Sequence, residues 1–278
     1  MSATHQTKGF SRIFWPLLAW VVALVFFFPI FWMVLTSFKT DADAVKPEFL
    51  FAFSPTLENY VNMTENYDYW RFAINSTITS VFATLFTLSV GVPAAYAMAF
   101  NPSRHTKDIL VWMLSTKMLP AAAVLYPMTF LTKNMLGIYD THFLVIMVLS
   151  LINLPIVIWM LFTYFKEIPK EIIEAGKMDG VSIWGEMRDI VLPLAWGGLA
   201  STALLCFIFC WNEAYWTVRL TTTEAATLSK LIEGNRAPEG LFFGRLSAVS
   251  TAAVGPIVVL GWFCQKQLVR GLTFGAVK

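Results

Sequence analysis

The sequence predicts an all-α membrane protein with six transmembrane helices. Hydrophobic residues make up 57% of the chain and charged residues 14%, and the mean hydropathy is +0.62, which lies well outside the range of ordinary soluble domains. The apolar residues gather into windows that are each long enough to cross the roughly 30 Å hydrocarbon core of a bilayer. These windows are residues 13–36, 72–100, 108–132, 141–165, 194–220 and 245–268.

The first window follows a polar start that carries Lys8 and Arg12. It is too long for the apolar region of a signal peptide, so we expect an uncleaved first span. We therefore divide the chain into a cytoplasmic N-terminal segment, one transmembrane domain and a cytoplasmic tail. Their predicted bounds are 1–12, 13–268 and 269–278.

Charge in the short connections predicts the orientation of the spans. Arg104 and Lys107 lie between the second and third spans without an intervening acid, and Arg12 directly precedes the first span. Basic residues are enriched in cytoplasmic connections, so both termini and the polar segment 167–193 are predicted to be cytoplasmic. The net charge of +2 is small and the basic residues are scattered, which excludes a nucleic-acid-binding surface.

Two predicted extracytoplasmic segments, residues 37–71 and 221–244, are longer than simple turns. Function concentrates in loops that a rigid scaffold supports. Each segment therefore fits either a docking surface for an external partner or a plain solvated loop.

The segment 167–193 separates the fourth and fifth spans and predicts a short helix. Pro169 suits the first turn of a helix, and Gly180 suits a left-handed residue at its end. Ala175 and Gly176 place almost no side chain on the helix surface, so another protein could approach its backbone closely. The segment thus predicts a short cytoplasmic helix that could dock on a partner as a rigid body, although an ordinary amphipathic connector between spans has the same pattern.

The same segment resembles the loop by which membrane subunits of ATP-binding cassette importers engage their ATPases. The family pattern is Glu-Ala-Ala, three residues, Gly, nine residues and then Ile-x-Leu-Pro, and the chain departs from it where Gly replaces the second Ala. The resemblance assigns ATPase coupling to Glu174, Ala175, Gly176, Asp179 and Gly180, with Ile190, Leu192 and Pro193 completing the motif.

Further segments extend the resemblance to the carbohydrate permeases of the maltose type over nearly the whole chain. They are Asn75-Ser76, Pro93 to Ala97, Leu154 to Trp159, Ile168 to Glu171, Trp211 to Glu213 and Gly271 to Lys278. The run from Ser115 to Pro120 is most similar to the sorbitol and mannitol permeases. The resemblance implies a permease subunit in the bacterial inner membrane that imports a sugar or a sugar alcohol.

The resemblance also implies the partners. They are a second homologous permease subunit, two ATP-binding cassette ATPase subunits and an extracytoplasmic solute-binding protein. The chain contains no Gly-x-x-x-x-Gly-Lys-Ser/Thr phosphate loop, so ATP and Mg²⁺ are expected in the ATPase partners and no cofactor in this chain. It is expected to be a transport subunit and not an enzyme.

Polar and aromatic side chains within the apolar windows are candidates for a substrate pathway, because polar groups at membrane depth usually face a bundle interior or a water-filled cavity. Aromatic faces beside hydrogen-bonding groups suit a neutral polyhydroxylated solute. The same residues also fit an aromatic belt at the membrane interface or a contact with a partner subunit. The candidates are Lys117, Tyr126, Asn153, Trp159, Trp211, Asn212, Glu213 and Tyr215.

Two other classes of function remain open from the residues. An ion-coupled secondary carrier would use Lys117 and Glu213 as its titrating groups, but the internal repeats common in such carriers are not apparent. A membrane-embedded enzyme would need a paired-carboxylate, His-rich or Ser/His/Asp constellation, which the spans lack. Cys206 and Cys210 share a helix face and are expected to pack as small hydrophobic residues.

Overall fold

The computed structural model describes residues 9–46, 51–236 and 242–272, with side chains from residue 13 to residue 265 inside those ranges. The described residues contain helices and no strand. The helices are α1 (Gly9–Ser37), α2 (Asp41–Ala44), α3 (Glu58–Glu65), α4 (Tyr69–Phe100), α5 (Thr106–Thr116), α6 (Ala121–Phe130), α7 (His142–Lys166), α8 (Lys170–Met178), α9 (Ile183–Gly185), α10 (Leu192–Leu194), α11 (Trp196–Asn212), α12 (Tyr215–Leu220), α13 (Leu228–Gly234) and α14 (Phe243–Leu272). Two π-helical turns, Leu131–Met135 and Glu186–Val191, continue α6 and α9.

Four helices, α1, α4, α7 and α14, are long and apolar enough to cross a membrane on their own. Two further candidates are bent: α5 meets α6 at 83°, and the segment from α9 to α10 meets α11 at 85°. The described part of the chain therefore offers four spans, or up to six if each bent pair counts as one. The all-helical class is confirmed, and the count of six stays a prediction.

The chain forms two compact units. The first comprises the described residues within 1–68 and 234–254. In it, the Asp41 carboxylate accepts hydrogen bonds from the amides of Gly244 (2.8 Å) and Arg245 (3.2 Å). Asn59 donates to the carbonyl oxygens of Ser37 and Lys39, at 3.0 and 2.7 Å. A Cβ on Gly244 would lie 2.6 Å from the Lys39 carbonyl oxygen, so this close approach requires glycine.

The second unit comprises the described residues within 69–233 and 255–278, and its core lies where α4 and α11 pack against α7. Small residues on α4 allow the close approach: Ala83 and Ala95 are fully buried, and a Cβ on Gly91 would lie 3.0 Å from a methyl group of Val157. Small residues serve the same purpose at helix interfaces in membranes. Buried threonines on α4 donate to carbonyl oxygens one turn earlier, as Thr87 does to Ala83 at 2.7 Å, so their hydroxyls are satisfied inside the helix.

The third and fifth predicted spans are each interrupted in the structure. Pro120 has an extended ψ of 116° at the start of α6, and proline cannot donate the backbone hydrogen bond that would join α5 to α6. In the fifth span, Glu213 has an extended ψ of 118° and ends α11. Its carboxylate then accepts hydrogen bonds from the amides of Trp216 and Thr217, at 3.0 and 3.1 Å, which starts α12.

Parts of the predicted terminal segments lie outside the described residues. These are residues 1–8 of the N-terminal segment and residues 273–278 of the tail.

Candidate functional site

The polar segment between α7 and α11 folds around α8. Pro169 directly precedes the helix with φ −57° and ψ 131°, and Gly180 follows it with φ +76°. Glu171 lies in its first turn and Lys177 in its last, the arrangement that favours interaction with the helix dipole. The helix predicted between Pro169 and Gly180 is therefore present, with the predicted residues at its ends.

One face of α8 packs against other residues of the same chain. Ile173 is 2% exposed, a burial worth about 1.5–3 kcal/mol relative to an exposed side chain. Gly176 is buried as well, and a Cβ there would lie 2.7 Å from Cδ1 of Ile190. The space above Gly176 is thus filled by this chain's own Ile190, which corrects the expectation that it stays open for a partner.

The opposite face of α8 is open. Glu174 and Ala175 are exposed, as are Asp179 and Gly180 at its end. Two large apolar side chains extend this surface, because Met178 is 88% exposed and Trp184 is 71% exposed. The sequence analysis missed both, although an apolar Trp-containing turn inside a polar loop is a signal for a contact surface.

The segment after α8 connects this surface to the membrane helices. Ser182 caps α9 by accepting a hydrogen bond from the Gly185 amide at 3.2 Å. Glu186 and Val191 are then buried in the π-helical turn, and the chain bends by 85° into α11. At this bend a Cβ on Gly198 would lie 2.4 Å from the ring of Tyr164 on α7, so the backbone of α11 packs directly against that ring.

Lys117 lies at the break between α5 and α6, beside a cavity of about 320 Å³. Its Nζ is 5.6 Å from the centroid of the Phe209 ring on α11. The cavity wall combines the Thr116 hydroxyl, Pro155 of α7 and the indole of Trp216 on α12. This volume lies at the lower end of the range for small-molecule sites, and the wall carries both hydrogen-bonding and aromatic groups.

The other predicted pathway residues are not gathered around that cavity. Asn153 is buried, and its amide donates to the Leu149 carbonyl oxygen at 2.9 Å and to Cys210 Sγ at 3.4 Å.

Trp159 lies in a different groove, near Lys166. Trp211 lines a third cavity of about 560 Å³ and packs against Phe207, with ring centroids 5.8 Å apart.

The remaining candidates stand at the end of α11 and on α6. Asn212 is exposed and donates to the Ile208 carbonyl oxygen at 3.0 Å. The Glu213 carboxylate caps α12, and the Tyr215 ring lies 4.6 Å from the Arg219 guanidinium. Tyr126 is 79% exposed on α6. These candidates therefore lie on different faces of the described chain, and their role in a substrate pathway stays a prediction.

A polar cluster at the start of α7 holds the loop of residues 222–226. We call this cluster the clasp, and its side chains are Asp140, Asn75, His142 and Arg71. Asp140 accepts hydrogen bonds from the amides of Thr222 (3.0 Å), Thr223 (2.9 Å), Glu224 (3.1 Å) and Ala225 (3.2 Å). Asp140 has a positive φ of 59°, a conformation that Asp and Asn tolerate better than most residues. Burial raises the pKa of the Asp140 carboxyl, but the hydrogen bonds from residues 222–224 outweigh it and hold the pKa well below its ordinary value.

Asn75, on α4, binds the loop of residues 222–226 as well. Its Nδ2 donates to the carbonyl oxygens of Glu224 and Ala226, at 2.9 Å each. Its Oδ1 must then accept, so His142 Nε2, which lies 2.8 Å away, is the donor. Arg71 adds a hydrogen bond to the Thr223 carbonyl oxygen at 2.8 Å. The sequence analysis missed the clasp, because its partners are about 80 to 150 positions apart in the chain.

The carrier hypothesis names Lys117 and Glu213 as the titrating groups. Among the described residues these two form no ion pair, and the Glu213 carboxylate is engaged by the backbone of α12. The described residues also contain no group of three or more His, Cys, Asp or Glu side chains that could hold a metal ion.

The sequence profile of the family described as "Binding-protein-dependent transport system inner membrane component" matches residues 91–273. The chain belongs to this family. It is therefore a multi-pass permease component of the inner membrane, as the loop motif and the apolar helices predicted.

Similar proteins agree with the family match. The permease is 32% identical over 273 residues to the trehalose/maltose transport system permease protein MalG of Thermococcus litoralis, covering 96% of this chain and 97% of that one. It is 31% identical over 276 residues to a probable ABC transporter permease protein, y4oR, of Sinorhizobium fredii, covering 99% of each.

The permease also shares its fold with a chain in the crystal structure of a bacterial ABC transporter involved in the import of the acidic polysaccharide alginate. The TM-score is 0.75 at 23% identity, covering 95% of this chain and 99% of that chain.

Proposed function

We propose that the permease imports a sugar or sugar alcohol, with sorbitol- or mannitol-like polyols as the substrate class, and that α8 is its coupling helix. The observation that carries this proposal is the two-sided environment of α8. Ile173 and Gly176 fix one side to the chain, while Glu174 and Ala175 leave the other side open.

Such a helix is suited to transmit force. The side that faces Ile190 is packed without a gap, so a push on the exposed side moves α8 together with the turn that contains Glu186 and Val191. That turn leads directly into the bend before α11. Closure of an ATPase dimer on α8 would therefore reach α11 through packed elements and not through a flexible linker, which is how packed interfaces convert small shifts into larger ones.

The partners follow from this role. The ATPase pair would supply ATP and Mg²⁺ chemistry, a second permease would complete the pathway, and a solute-binding protein would deliver the substrate. Both termini and α8 would lie on the cytoplasmic side, and the clasp on the outside. The permease itself would carry out no reaction.

The substrate class rests on two points. Two of the proteins named above belong to transport systems for trehalose and maltose or for alginate, which are all carbohydrates. In addition, the cavity beside Lys117 offers an ammonium donor, a threonine hydroxyl and the Trp216 indole, and aromatic faces with a few placed donors suit polyhydroxylated ligands. Within this cavity, Lys117 would donate to substrate hydroxyl groups.

The test is to purify the complex through a tag on this chain, reconstitute it, and measure ATPase activity with and without the binding protein and a panel of solutes. The panel would hold sorbitol, mannitol, maltose and trehalose. We expect Glu174→Lys to abolish solute-stimulated hydrolysis, because the substitution reverses the charge on the docking face without touching the side seated on Ile190. Glu58→Lys is the matched control, since Glu58 is also exposed but begins α3, far along the chain from α8.

The outcomes separate the two parts of the proposal. Normal stimulation of the Glu174→Lys complex would refute the coupling role of α8, whichever solute works. Loss of stimulation in Glu174→Lys alone, with a response only to maltose or trehalose, would keep the coupling helix and reject the polyol class. A chain that purifies without any ATPase and still transports would reject the coupling role of α8 and favour an ion-coupled carrier, whichever solute it carries.

A further inference from the structure

A groove with a charged rim lies at the end of α7 that is next to α8. It runs between the end of α4, the connection before α5 and the last turns of α7, and it encloses about 370 Å³. Its rim carries the cations Arg104, Lys107 and Lys166, and its floor is formed mainly by Leu110, Trp159 and Phe162.

The three cations lack acidic partners within the described part of the chain. Arg104 Nε donates to His105 Nε2 at 2.8 Å, and Lys166 Nζ lies 5.3 Å from the centroid of the Phe162 ring. Among the described residues, none of the three has a carboxylate oxygen within 4.0 Å, although Asp108 and Glu167 are their neighbours in sequence. Three positive charges therefore converge on one groove without compensation from these residues, which makes the groove an attractive site for an anion.

The floor of the groove is apolar and reaches the outer surface of the helices. Leu110 is buried under it, Trp159 and Phe162 are partly exposed, and Val111 is 55% exposed on the adjoining surface of α5. A ligand that fills the groove would thus meet cations at one end and hydrocarbon at the other. A free inorganic anion or an acidic peptide uses only the first of these two features.

We propose that this groove binds the headgroup of an anionic phospholipid of the phosphatidylglycerol type. The phosphate is held by Arg104, Lys107 and Lys166, and an acyl chain runs from Trp159 along Val111. Basic pockets between membrane helices are known sites for anionic headgroups, and each nearby lysine or arginine adds to the affinity. The N-terminus of α5, which has no side-chain cap among the described residues, adds partial positive charge at the same place.

The bound lipid has a structural consequence for the permease. It would bridge α4, α5 and α7 at the level of α8, and its single negative charge would reduce the mutual repulsion of the three cations that line the groove. This site is independent of the transported solute and of the coupling role proposed for α8.

The first experiment locates the lipid. The tagged complex is reconstituted with a photoreactive phosphatidylglycerol, or with the matching phosphatidylcholine, and cross-linked peptides are identified by mass spectrometry. We expect phosphatidylglycerol cross-links to concentrate in residues 98–111 and 159–166, and phosphatidylcholine cross-links to show no such preference. An equal distribution of both lipids over the membrane helices would overturn the site.

The second experiment uses charge variants of the same complex. The double variant Arg104→Gln/Lys107→Gln is compared with the matched double variant Lys133→Gln/Arg219→Gln, whose residues are exposed on other segments. Native mass spectrometry then measures phosphatidylglycerol retained against a phosphatidylcholine background. We expect roughly thirtyfold weaker retention in the first variant, at about 1 kcal/mol for each of the two cations removed, and a change of less than about twofold in the second.

Other results overturn the proposal in distinct ways. Equal losses in both double variants would show unspecific attraction of anionic lipid to basic residues. Unchanged lipid retention together with loss of a subunit from the Arg104→Gln/Lys107→Gln complex would show that the groove receives a protein partner. Displacement of the lipid by millimolar glycerol phosphate would show that the rim alone binds, so the apolar floor has no role.

Discussion

Asp140 holds a loop that is about 80 residues away in sequence. Both oxygens of its ionised carboxylate accept hydrogen bonds from that loop. Replacing it with Asn preserves the shape and tolerates the positive φ, but an amide accepts hydrogen bonds through one oxygen instead of two. We expect Asp140→Asn to cost about 1–3 kcal/mol in the local opening free energy of residues 222–225. Hydrogen exchange should show faster exchange of these amides and no change in the core of α7.

The pH dependence of the same amides provides an independent check. A carboxyl whose pKa is lowered in the folded state stabilises the protein fully above its ordinary pKa of about 4, and loses that contribution as pH falls through the lower folded-state value. After correction for intrinsic exchange rates, protection of residues 222–225 should be flat from about pH 8 to about pH 5. A decline within that range would contradict the role given to the carboxylate.

Gly176 shows what single positions can and cannot reveal. The sequence predicts that Gly176 lies on the short helix between Pro169 and Gly180, and the structure has Gly176 within α8. Which side it faces depends on Ile190, fourteen positions later, through a contact that local propensity does not encode. Asn153 is a similar case. Its buried side-chain amide donates hydrogen bonds to the Leu149 carbonyl oxygen and to Cys210 Sγ, which compensate for the loss of water. The polar side chain that the sequence offered as a pathway candidate therefore has its hydrogen-bond partners within the protein core.

The start of α11 offers a matched pair of variants at the scale of the element. A Cβ on Gly198 would collide with the Tyr164 ring, at 2.4 Å, whereas no described atom lies within 4 Å of a Cβ on Gly197. Gly197→Ala should stabilise the helix by up to about 1 kcal/mol. Gly198→Ala should destabilise the permease by about 1–3 kcal/mol, because the ring and the bend must shift.

Thermal unfolding of the purified complex, followed by fluorescence-detected size exclusion, measures both effects. The double variant Gly198→Ala/Tyr164→Leu is expected to recover part of the loss, because it removes the ring that the new methyl group meets. Similar midpoints for the two single variants would show that the contact between α7 and α11 at this bend is loose.

The elements were predictable where one local rule decides them. Pro169 and Gly180 set the ends of α8, and the long apolar runs set α1, α4, α7 and α14. The interruptions at Pro120 and Glu213 could not be predicted in the same way, because each depends on competing effects. Proline within an apolar run can bend a helix or be tolerated, and at Pro120 the bend reaches 83° whereas α7 continues through Pro155. At Glu213, the carboxylate caps the next helix instead of facing a cavity.

Across the whole molecule, the clasp and α8 lie at the two ends of α7. The helix runs from His142 to Lys166, a rise of about 37 Å, which exceeds the hydrocarbon thickness of a bilayer. We therefore expect the clasp to lie on the opposite side of the membrane from α8. This separation is what an importer requires if an external partner acts at one end and an ATPase at the other.

Cysteine labelling tests this orientation in intact cells. Cys206 and Cys210 are buried, so replacing Cys264 with Ser leaves a background suited to single cysteines. We expect a membrane-impermeant thiol reagent to label Asn134→Cys in spheroplasts, and Lys177→Cys only after permeabilisation, because both positions are exposed but lie on either side of α7. The reverse pattern would place α8 outside and remove its access to an ATPase, whereas labelling of both from outside would mean that α7 does not span the membrane.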